Sequence, residues 1–280
     1  MNRLQRSFRI SSCRVWRDMA DAARLGLFMN EETITESVLL FLARGHKHHG
    51  LNIKVYTKQE ERRVGAGWAW CFMNGGRAVA MHVQAKRLYS GARYDALKPT
   101  GGQINRLIHQ SGTHHPYYVF YNDGLQGARC LRASGTGHFR CGSFKGDDHW
   151  GCMIARAQDV KRVGSNAMAS LLPVSMPWHC MLCPHLAGVG PSHSHWSLPD
   201  VVGASLTAAM RLAGDGDDVS PILPTDPPEW VEFVQAWSDR SAGTIADGGF
   251  VAADRAIEDY LEEHDLSGLA LFSGRLEQER

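Results

Sequence analysis

Two apolar runs on either side of a glycine turn constrain the fold of this chain most strongly. Residues 68–73 and 77–86 are rich in tryptophan, valine, methionine and alanine, and Asn74-Gly75 lies between them. Asn-Gly favours a tight hairpin, because both residue types tolerate the positive φ angles that such a turn requires. The sequence therefore predicts two antiparallel strands joined by a turn at Asn74-Gly75.

The segments that flank this hairpin extend it into a mixed α/β unit. Helical periodicity and alternation of apolar and polar residues distinguish helices from strands. The predicted elements are a helix at 14–28, a helix at 31–44, a strand at 51–57, the two hairpin strands, a helix at 103–110 and a strand at 117–121. We place Leu27 and Phe28 on the apolar face of the first helix, and Asn30 at the N-cap of the second. The order predicts an antiparallel meander of three strands, followed by a helical crossover to a fourth.

The rest of the chain divides by composition. Residues 123–149 are rich in glycine and mixed charge, which is typical of a long loop, and a strand at 150–155 and a helix at 157–163 follow. The last dozen residues are expected to fray. We divide the chain into an N-terminal helical segment (1–30), a core (31–122), a Gly-rich and Cys/His segment packed on the core (123–212), an acidic Pro-rich linker (213–228) and C-terminal helices (229–280).

Composition points to a cytoplasmic protein that does not cross a membrane. The chain is 44% apolar and 21% charged, and no apolar run approaches the roughly 20 residues that span a bilayer. The basic N-terminus lacks the apolar region of a signal peptide. Seven cysteines are an odd count and predict reduced thiols. Residues 1–17 hold five arginines and no acid, which suits either a phosphate backbone or an unpatterned solvated surface.

Polar residues end the second hairpin strand, where a buried strand would otherwise stay apolar. Gln84, Lys86 and Arg87 follow its apolar run. A solvated strand edge explains such residues. An active site also explains them, because a strand end can hold a lysine beside a reacting phosphate. The element order around the strand favours the active site.

That order, with Gln-x-Lys on the third strand, resembles the PD-(D/E)xK nuclease superfamily over residues 31–122. The resemblance implies an α/β fold, with a restriction-endonuclease-like mixed sheet (an αβββαβ core) and here a helical C-terminal extension. In that superfamily, acidic and amide oxygens hold magnesium and the lysine activates the attacking water. The implied catalytic residues are Glu32, Glu61, Gln84 and Lys86, of which the first three hold magnesium, and the implied nucleic-acid contacts are Arg87 and Gln103. DNA is the implied partner, and defence against foreign DNA the implied setting.

A closer resemblance is to a bacterial family of unknown activity whose members read like EETIT, GADWEW, QAKRL, FYN and PWHCLVC. The counterparts in this chain are EETIT at 31–35, GAGWAW at 65–70, QAKRL at 84–88, FYN at 120–122 and PWHCMLC at 177–183. The resemblance spans most of residues 14–185. It favours Glu32 over Glu36 as the helical acid, because Glu32 lies within the EETIT match.

This chain departs from that pattern at two acids. Gly67 stands where the pattern has Asp, and Ala69 stands where it has Glu. Each change removes an oxygen ligand and a negative charge, so magnesium held by the remaining groups would be bound weakly. Glu61 is the acid that could shift in as a substitute. The resemblance thus implies a nuclease fold with reduced or absent cleavage. The alternatives are a non-catalytic nucleic-acid-binding module and a zinc-stabilised scaffold for a protein partner.

A Cys-x-x-Cys at Cys180 and Cys183 is the second candidate site. Zinc commonly takes two thiolates and two imidazoles, and this pair would need further ligands from elsewhere. The residues that could supply them are His185, His193, His195, Cys130 and Cys141. The alternative is a pair of buried thiols beside Trp178.

Overall fold

A computed structural model gives the fold of the chain. The structure describes residues 2–46, 51–57, 67–95, 97–98, 101–134, 146–188, 196–215, 219–241 and 248–274.

Helices and strands alternate along most of the described chain. The strands are β1 (Leu51–Thr57), β2 (Gly67–Asn74), β3 (Arg77–Arg87), β4 (His115–Tyr121), β5 (Cys152–Arg156), β6 (Met176–Pro177) and β7 (Gly268–Gly274). The α-helices are α1 (Arg3–Arg24), α2 (Glu31–His46), α3 (Gly102–Gln110), α4 (Gln126–Ala133), α5 (Ala157–Val163), α6 (Met168–Leu171), α7 (Leu198–Met210), α8 (Trp230–Ser241) and α9 (Gly248–Glu263). Short 3-10 helices cover Asp147–Gly151 and Trp178–Leu182. The prediction of a mixed α/β protein is confirmed.

The β2–β3 hairpin forms where the sequence predicted it. Asn74 pairs with Arg77, so the two loop residues are Gly75 and Gly76, one position later than expected. Their φ angles are 58° and 81°, as a two-residue turn with positive φ at both positions requires. The turn sets the hairpin register, which pairs Gly67 with Gln84.

The first helix begins and ends earlier than predicted. Asn2 accepts a hydrogen bond from the Gln5 backbone N–H at 2.7 Å and caps α1, and Gly26, with φ of 71°, follows its end. The predicted apolar face was therefore wrong at Leu27 and Phe28, which are 64% and 66% exposed. The second helix is close to its predicted range, and Asn30 accepts from the Thr33 N–H at 2.8 Å.

The seven-stranded sheet has the order β1-β7-β2-β3-β4-β5-β6. The predicted meander was wrong between its first two strands, because β7 lies between β1 and β2. It pairs antiparallel with β1 and parallel with β2. The strands β3 and β4 are parallel and α3 connects them, as the crossover prediction required.

Within its described residues, the C-terminal segment is therefore not purely helical, and residues 269–274 of the stretch that was expected to fray belong to a strand. That strand is β7, whose Leu269, Ala270, Leu271 and Phe272 are fully buried. A strand that is covered on both faces shows a continuous apolar run rather than alternation. GLALF lacks the period-two signal and was missed for that reason.

Helices cover both faces of the sheet. The residues Val79, Met81, Val83 and Ala85 of β3 pack in one core with α1, α2 and α7. The opposite face packs against α3 and α5 near β4, and against α8 and α9 near β2 and β7. The polar residues His82, Gln84 and Lys86 alternate with the first set, so they point to this second face.

Two segments that were expected to be irregular are anchored to the fold. The Gly-rich stretch contains α4. In the Pro-rich stretch, the Ile222 N–H donates to Thr207 Oγ1 at 2.8 Å, and Thr225 forms a backbone bridge to Ala78. Among the described residues, no disulfide joins the cysteines, and no helix is long and apolar enough to span a membrane.

Replacement of Phe272 by alanine tests the position of β7. The Phe272 ring stacks on Phe72 with centroids 4.6 Å apart and lies 5.8 Å from Phe8. We expect Phe272→Ala to lower the free energy of unfolding by about 3–5 kcal/mol, as measured by urea denaturation. Leu25→Ala, at a residue that is 73% exposed, is the control and should change it by less than about 0.5 kcal/mol. Equal effects of the two substitutions would show that β7 does not hold the sheet together.

Candidate functional site

A polar cavity, open to solvent, lies at the end of the β2–β3 hairpin where β2 begins and β3 ends. Gly67 and Gln84, which pair across the hairpin, both line it. The described lining residues are Gly67, His82, Val83, Gln84, Gln103, Arg106, Leu107, Gln110, His264, Asp265 and Leu266. The structure thus brings together Gln84 and Gln103, which the sequence assigned to one site, and Gly67, where the sequence placed a lost acid.

The positions of both missing acids face this cavity side of the sheet. Gly67 pairs with Gln84, and Ala69 pairs with His82, so their side-chain positions share one face. Ala69 is fully buried. A carboxylate at position 67 would lie beside the amide of Gln84 in the cavity wall, whereas one at position 69 would lie deeper, opposite His82.

Lys86 lies two residues beyond Gln84 on the same strand face. It is buried, with 4% of its surface exposed, but it is not among the described residues that line the cavity. Burial lowers its pKa, and the nearby carboxylate of Glu31 opposes that shift. Burial therefore makes the charged form of Lys86 less favourable, and Glu31, in the first turn of α2, partly offsets that cost.

The acid that contacts this strand end is Glu31, one residue before the predicted Glu32. The Arg87 backbone N–H donates to Glu31 Oε1 at 3.3 Å, whereas the Glu32 side chain is exposed. Successive helical residues point about 100° apart. The EETIT match alone could not decide which of them faces β3.

Arg87 makes contacts within the protein. Its guanidinium lies 3.8 Å from the ring centroid of Phe28 and 4.1 Å from that of Tyr89. Its Nη1 donates to the Met29 carbonyl at 2.7 Å. These contacts fix the junction between α1 and α2 against the end of β3, so the structure gives Arg87 a positioning role there.

Helix α3 forms the wall of the cavity that lies opposite the β2–β3 hairpin. Gln103 is half-buried, and Arg106 and Gln110 are exposed, while Ile104 is fully buried on the sheet side of the same helix. This anchor directs the polar face of α3 toward Gln84. Arg106, which the sequence did not single out, places a permanent positive charge at the cavity.

A histidine cluster beside the cavity was also missed. The His82 and His114 rings stack with centroids 4.3 Å apart, and His264 lies 6.1 Å from His82. Trp230 Nε1 donates to His114 Nε2 at 3.1 Å. Within the described residues, His82 Nε2 has no hydrogen-bond partner. The three residues are far apart in sequence, so no local pattern signals the cluster.

Two rings of the cluster, those of His82 and His114, are uncharged at neutral pH. Burial lowers the pKa of His82 to about 3, and the charges of His114 and His264 act in the same direction. Burial likewise lowers the pKa of His114 to about 4. The polar wall therefore includes the neutral imidazole of His82 beside the amides of Gln84, Gln103 and Gln110.

Asp265 supplies a carboxylate to the cavity from an unexpected part of the chain. It lies in the turn between α9 and β7, with φ of 52°, and its side chain is exposed. The turn reaches the hairpin because the Ser267 N–H donates to the Gly67 carbonyl at 2.7 Å. Asp265 could not be assigned to the site in advance, because β7 itself was missed.

Cys180 and Cys183 lie in the interior. Cys180 is fully buried in the main core, and Cys183 is 4% exposed. Cys180 Sγ lies 3.7 Å from His179 Nε2. Among the described residues, neither cysteine belongs to a group of three metal-ligand side chains with converging ligand atoms. Zinc at this pair stays a prediction.

Several predicted candidates lie outside the described residues. They are Glu61, Cys141, His193 and His195.

Together these features define a mixed α/β protein with a polar cavity where the ends of β2 and β3 meet. A model of a family of unknown function (DUF6615) matches residues 4–278. The chain therefore belongs to this family. No curated protein and no solved structure matches it.

The histidine cluster predicts how stability depends on pH. As pH falls below about 6.5, the unfolded chain binds protons at these histidines, while folded His82 stays neutral until its pKa of about 3. The free energy of unfolding should therefore fall with decreasing pH, by up to about 1.4 kcal/mol per pH unit for each such histidine.

Removal of one titrating ring should reduce this slope. We expect His82→Gln to make the free energy of unfolding less dependent on pH between 6.5 and 4.5 than in the wild type, as measured by urea denaturation at several pH values. His109→Gln, at an exposed histidine, is the control and should leave the slope unchanged. Identical slopes for wild type and His82→Gln would contradict the burial of a neutral His82.

Proposed function

We propose that this chain is a PD-(D/E)xK-like protein that acts on DNA through the cavity at Gly67 and Gln84, with cleavage reduced or lost. The observation that carries the proposal is the β2–β3 register, which sets Gly67 opposite Gln84 where a metal-ligating Asp would stand. The parallel β3–β4 pair joined by α3 supports it. The β7 strand between β1 and β2 departs from the simple αβββαβ core.

The groups in the cavity do not fit a magnesium ion. Magnesium is usually held by one or two carboxylates in a nearly octahedral arrangement of oxygens. The described lining offers one carboxylate, that of Asp265, and it is exposed on a turn. Arg106 adds a positive charge that repels a cation. Among the described residues, the cavity therefore lacks a set of carboxylates that would hold magnesium well.

The same groups suit a phosphate group. Arg106 can pair with a phosphate oxygen, and the amides of Gln84, Gln103 and Gln110 offer neutral hydrogen-bond donors. The buried, neutral ring of His82 adds no charge at neutral pH. With the acids at positions 67 and 69 absent, little negative charge opposes a DNA backbone. Binding of DNA with weak or absent cleavage is thus the function that the cavity supports best.

Restoration of the missing carboxylate tests this proposal. We compare magnesium-dependent plasmid cleavage by wild type, Gly67→Asp, and Gly67→Asp combined with Lys86→Ala. Asp at position 67 would lie beside Gln84 and add a second carboxylate to that of Asp265. We expect cleavage by Gly67→Asp alone, because hydrolysis needs both the metal and the lysine.

The other outcomes are equally informative. Strong cleavage by the wild type would show that another acid replaces the missing ligand, and Asp265→Asn in the wild type would then identify or exclude Asp265. A folded Gly67→Asp variant that binds magnesium but does not cleave DNA would contradict a nuclease ancestry as a guide to function. Circular dichroism of each variant provides the control for folding.

A further inference from the structure

Three side chains of metal-ligand type converge away from the cavity, where α1 meets the 3-10 helix Asp147–Gly151. Cys13 Sγ lies 3.9 Å from His149 Nδ1, and Asp148 Oδ1 lies 3.9 Å from the same nitrogen. One ligand atom from each residue lies within 4.8 Å of the other two. Because both Cys13 and Asp148 approach Nδ1, the arrangement has the geometry of a shared ion rather than that of a linear catalytic triad.

The backbone around this cluster is held rigidly. Ser12 Oγ accepts from the Cys152 N–H at 2.7 Å and donates to the His149 carbonyl at 2.8 Å. A Cβ atom at Gly151 would lie 1.9 Å from the Ser12 carbonyl oxygen, so the two segments pack at backbone contact. Cys13 and His149 are neighbours of these residues, and their relative position is fixed before any ligand binds.

The distances are close to those of a zinc site. Zn–S bonds near 2.3 Å and Zn–N bonds near 2.1 Å in a tetrahedral site place sulfur and nitrogen about 3.6 Å apart. The observed 3.9 Å between Cys13 Sγ and His149 Nδ1 differs from this by a few tenths of an ångström, which a rotation of the Cys13 side chain can supply. Thiolate, imidazole and carboxylate are the three protein ligand types that zinc uses most.

The surroundings orient the ligands. Arg17 Nη2 lies 3.5 Å from Asp148 Oδ2, which leaves Oδ1 directed at His149. The His179 ring packs edge-on against His149 at 5.6 Å. The positive charges of Arg9 and Arg17 lie near Cys13 and repel a cation. With two anionic ligands, the ion and its three residues together are neutral, which limits that repulsion.

We propose that Cys13, Asp148 and His149 bind one zinc ion, which joins α1 to the turn before β5. Three protein ligands leave the fourth position to water. The site stands apart from the proposed DNA cavity and does not depend on it. It uses Cys13, which is not part of a Cys-x-x-Cys motif, rather than Cys180 and Cys183, the pair that the sequence offered as a candidate zinc site.

Zinc titration of the purified full chain under reducing conditions tests the proposal. We expect one zinc per wild-type chain by mass spectrometric metal analysis, and at least about 100-fold weaker binding by Cys13→Ser and His149→Gln, since even loss of a residue that only orients a ligand costs 10–100-fold. Cys130→Ser, at a thiol in α4 outside the cluster, is the matched control. Cobalt in place of zinc should give thiolate charge-transfer absorption in the wild type and none in Cys13→Ser.

The variants also distinguish this site from the Cys-x-x-Cys. Cys180→Ser and Cys183→Ser should retain zinc if the proposal is correct. Retention of zinc by Cys13→Ser with loss in Cys180→Ser or Cys183→Ser would overturn it, as would a wild-type chain that binds no zinc. Circular dichroism confirms that each variant is folded, and zinc should raise the melting temperature of the wild type but not of Cys13→Ser.

Discussion

The pairing of β7 with both β1 and β2 is the interaction on which the rest of the structure depends. Its residues Leu269 and Leu271 contact α8 and α9 on one face, and Ala270 and Phe272 contact the opposite core. Without β7, the edges of β1 and β2 would be unpaired. The turn that leads into β7 also carries His264 and Asp265 to the cavity. The last described strand thus completes both the sheet and the candidate site.

Local features of the sequence predicted much of the fold, but they did not predict the pairing of strands from distant parts of the chain. The hairpin, α2, β4 and α5 follow from turn chemistry, capping and periodicity, which act over a few residues. The β7 strand gives no alternating pattern because both its faces are buried, and its partners lie far away in the sequence. The family resemblance placed Gln84 and Gln103 in one site, and both line the cavity. The sequence did not predict that Arg106, Asp265 and the histidine cluster of His82 belong to the site, because tertiary packing alone brings these residues together. The prediction named Glu32, whereas Glu31 contacts β3. These neighbouring residues point about 100° apart around the helix.

The charge of the residues that line the cavity bears on whether the chain would cleave DNA or only bind it. A nuclease of the class that this chain resembles concentrates carboxylates where the ends of β2 and β3 meet, since a divalent cation must be held there. In this chain the same place has Gly67 and Ala69, neutral amides, and imidazoles whose pKa burial keeps low. Arg106 adds a positive charge. Asp265 adds one negative charge. A lining with fewer carboxylates than that pattern holds a divalent cation less well and opposes a phosphate less, and this is the physical basis for proposing DNA binding with cleavage reduced or lost.

Hydrogen exchange of the protein with and without duplex DNA tests this account most directly. The account predicts that DNA slows amide exchange together in the N-terminal half of β2, the C-terminal half of β3, α3 and the turn before β7. Exchange in α4, which does not line the cavity, should stay the same. These segments come from four separate parts of the chain, so their joint protection would locate the DNA at the cavity. Unchanged exchange in all four at saturating DNA, or protection confined to the arginines of α1, would contradict the account.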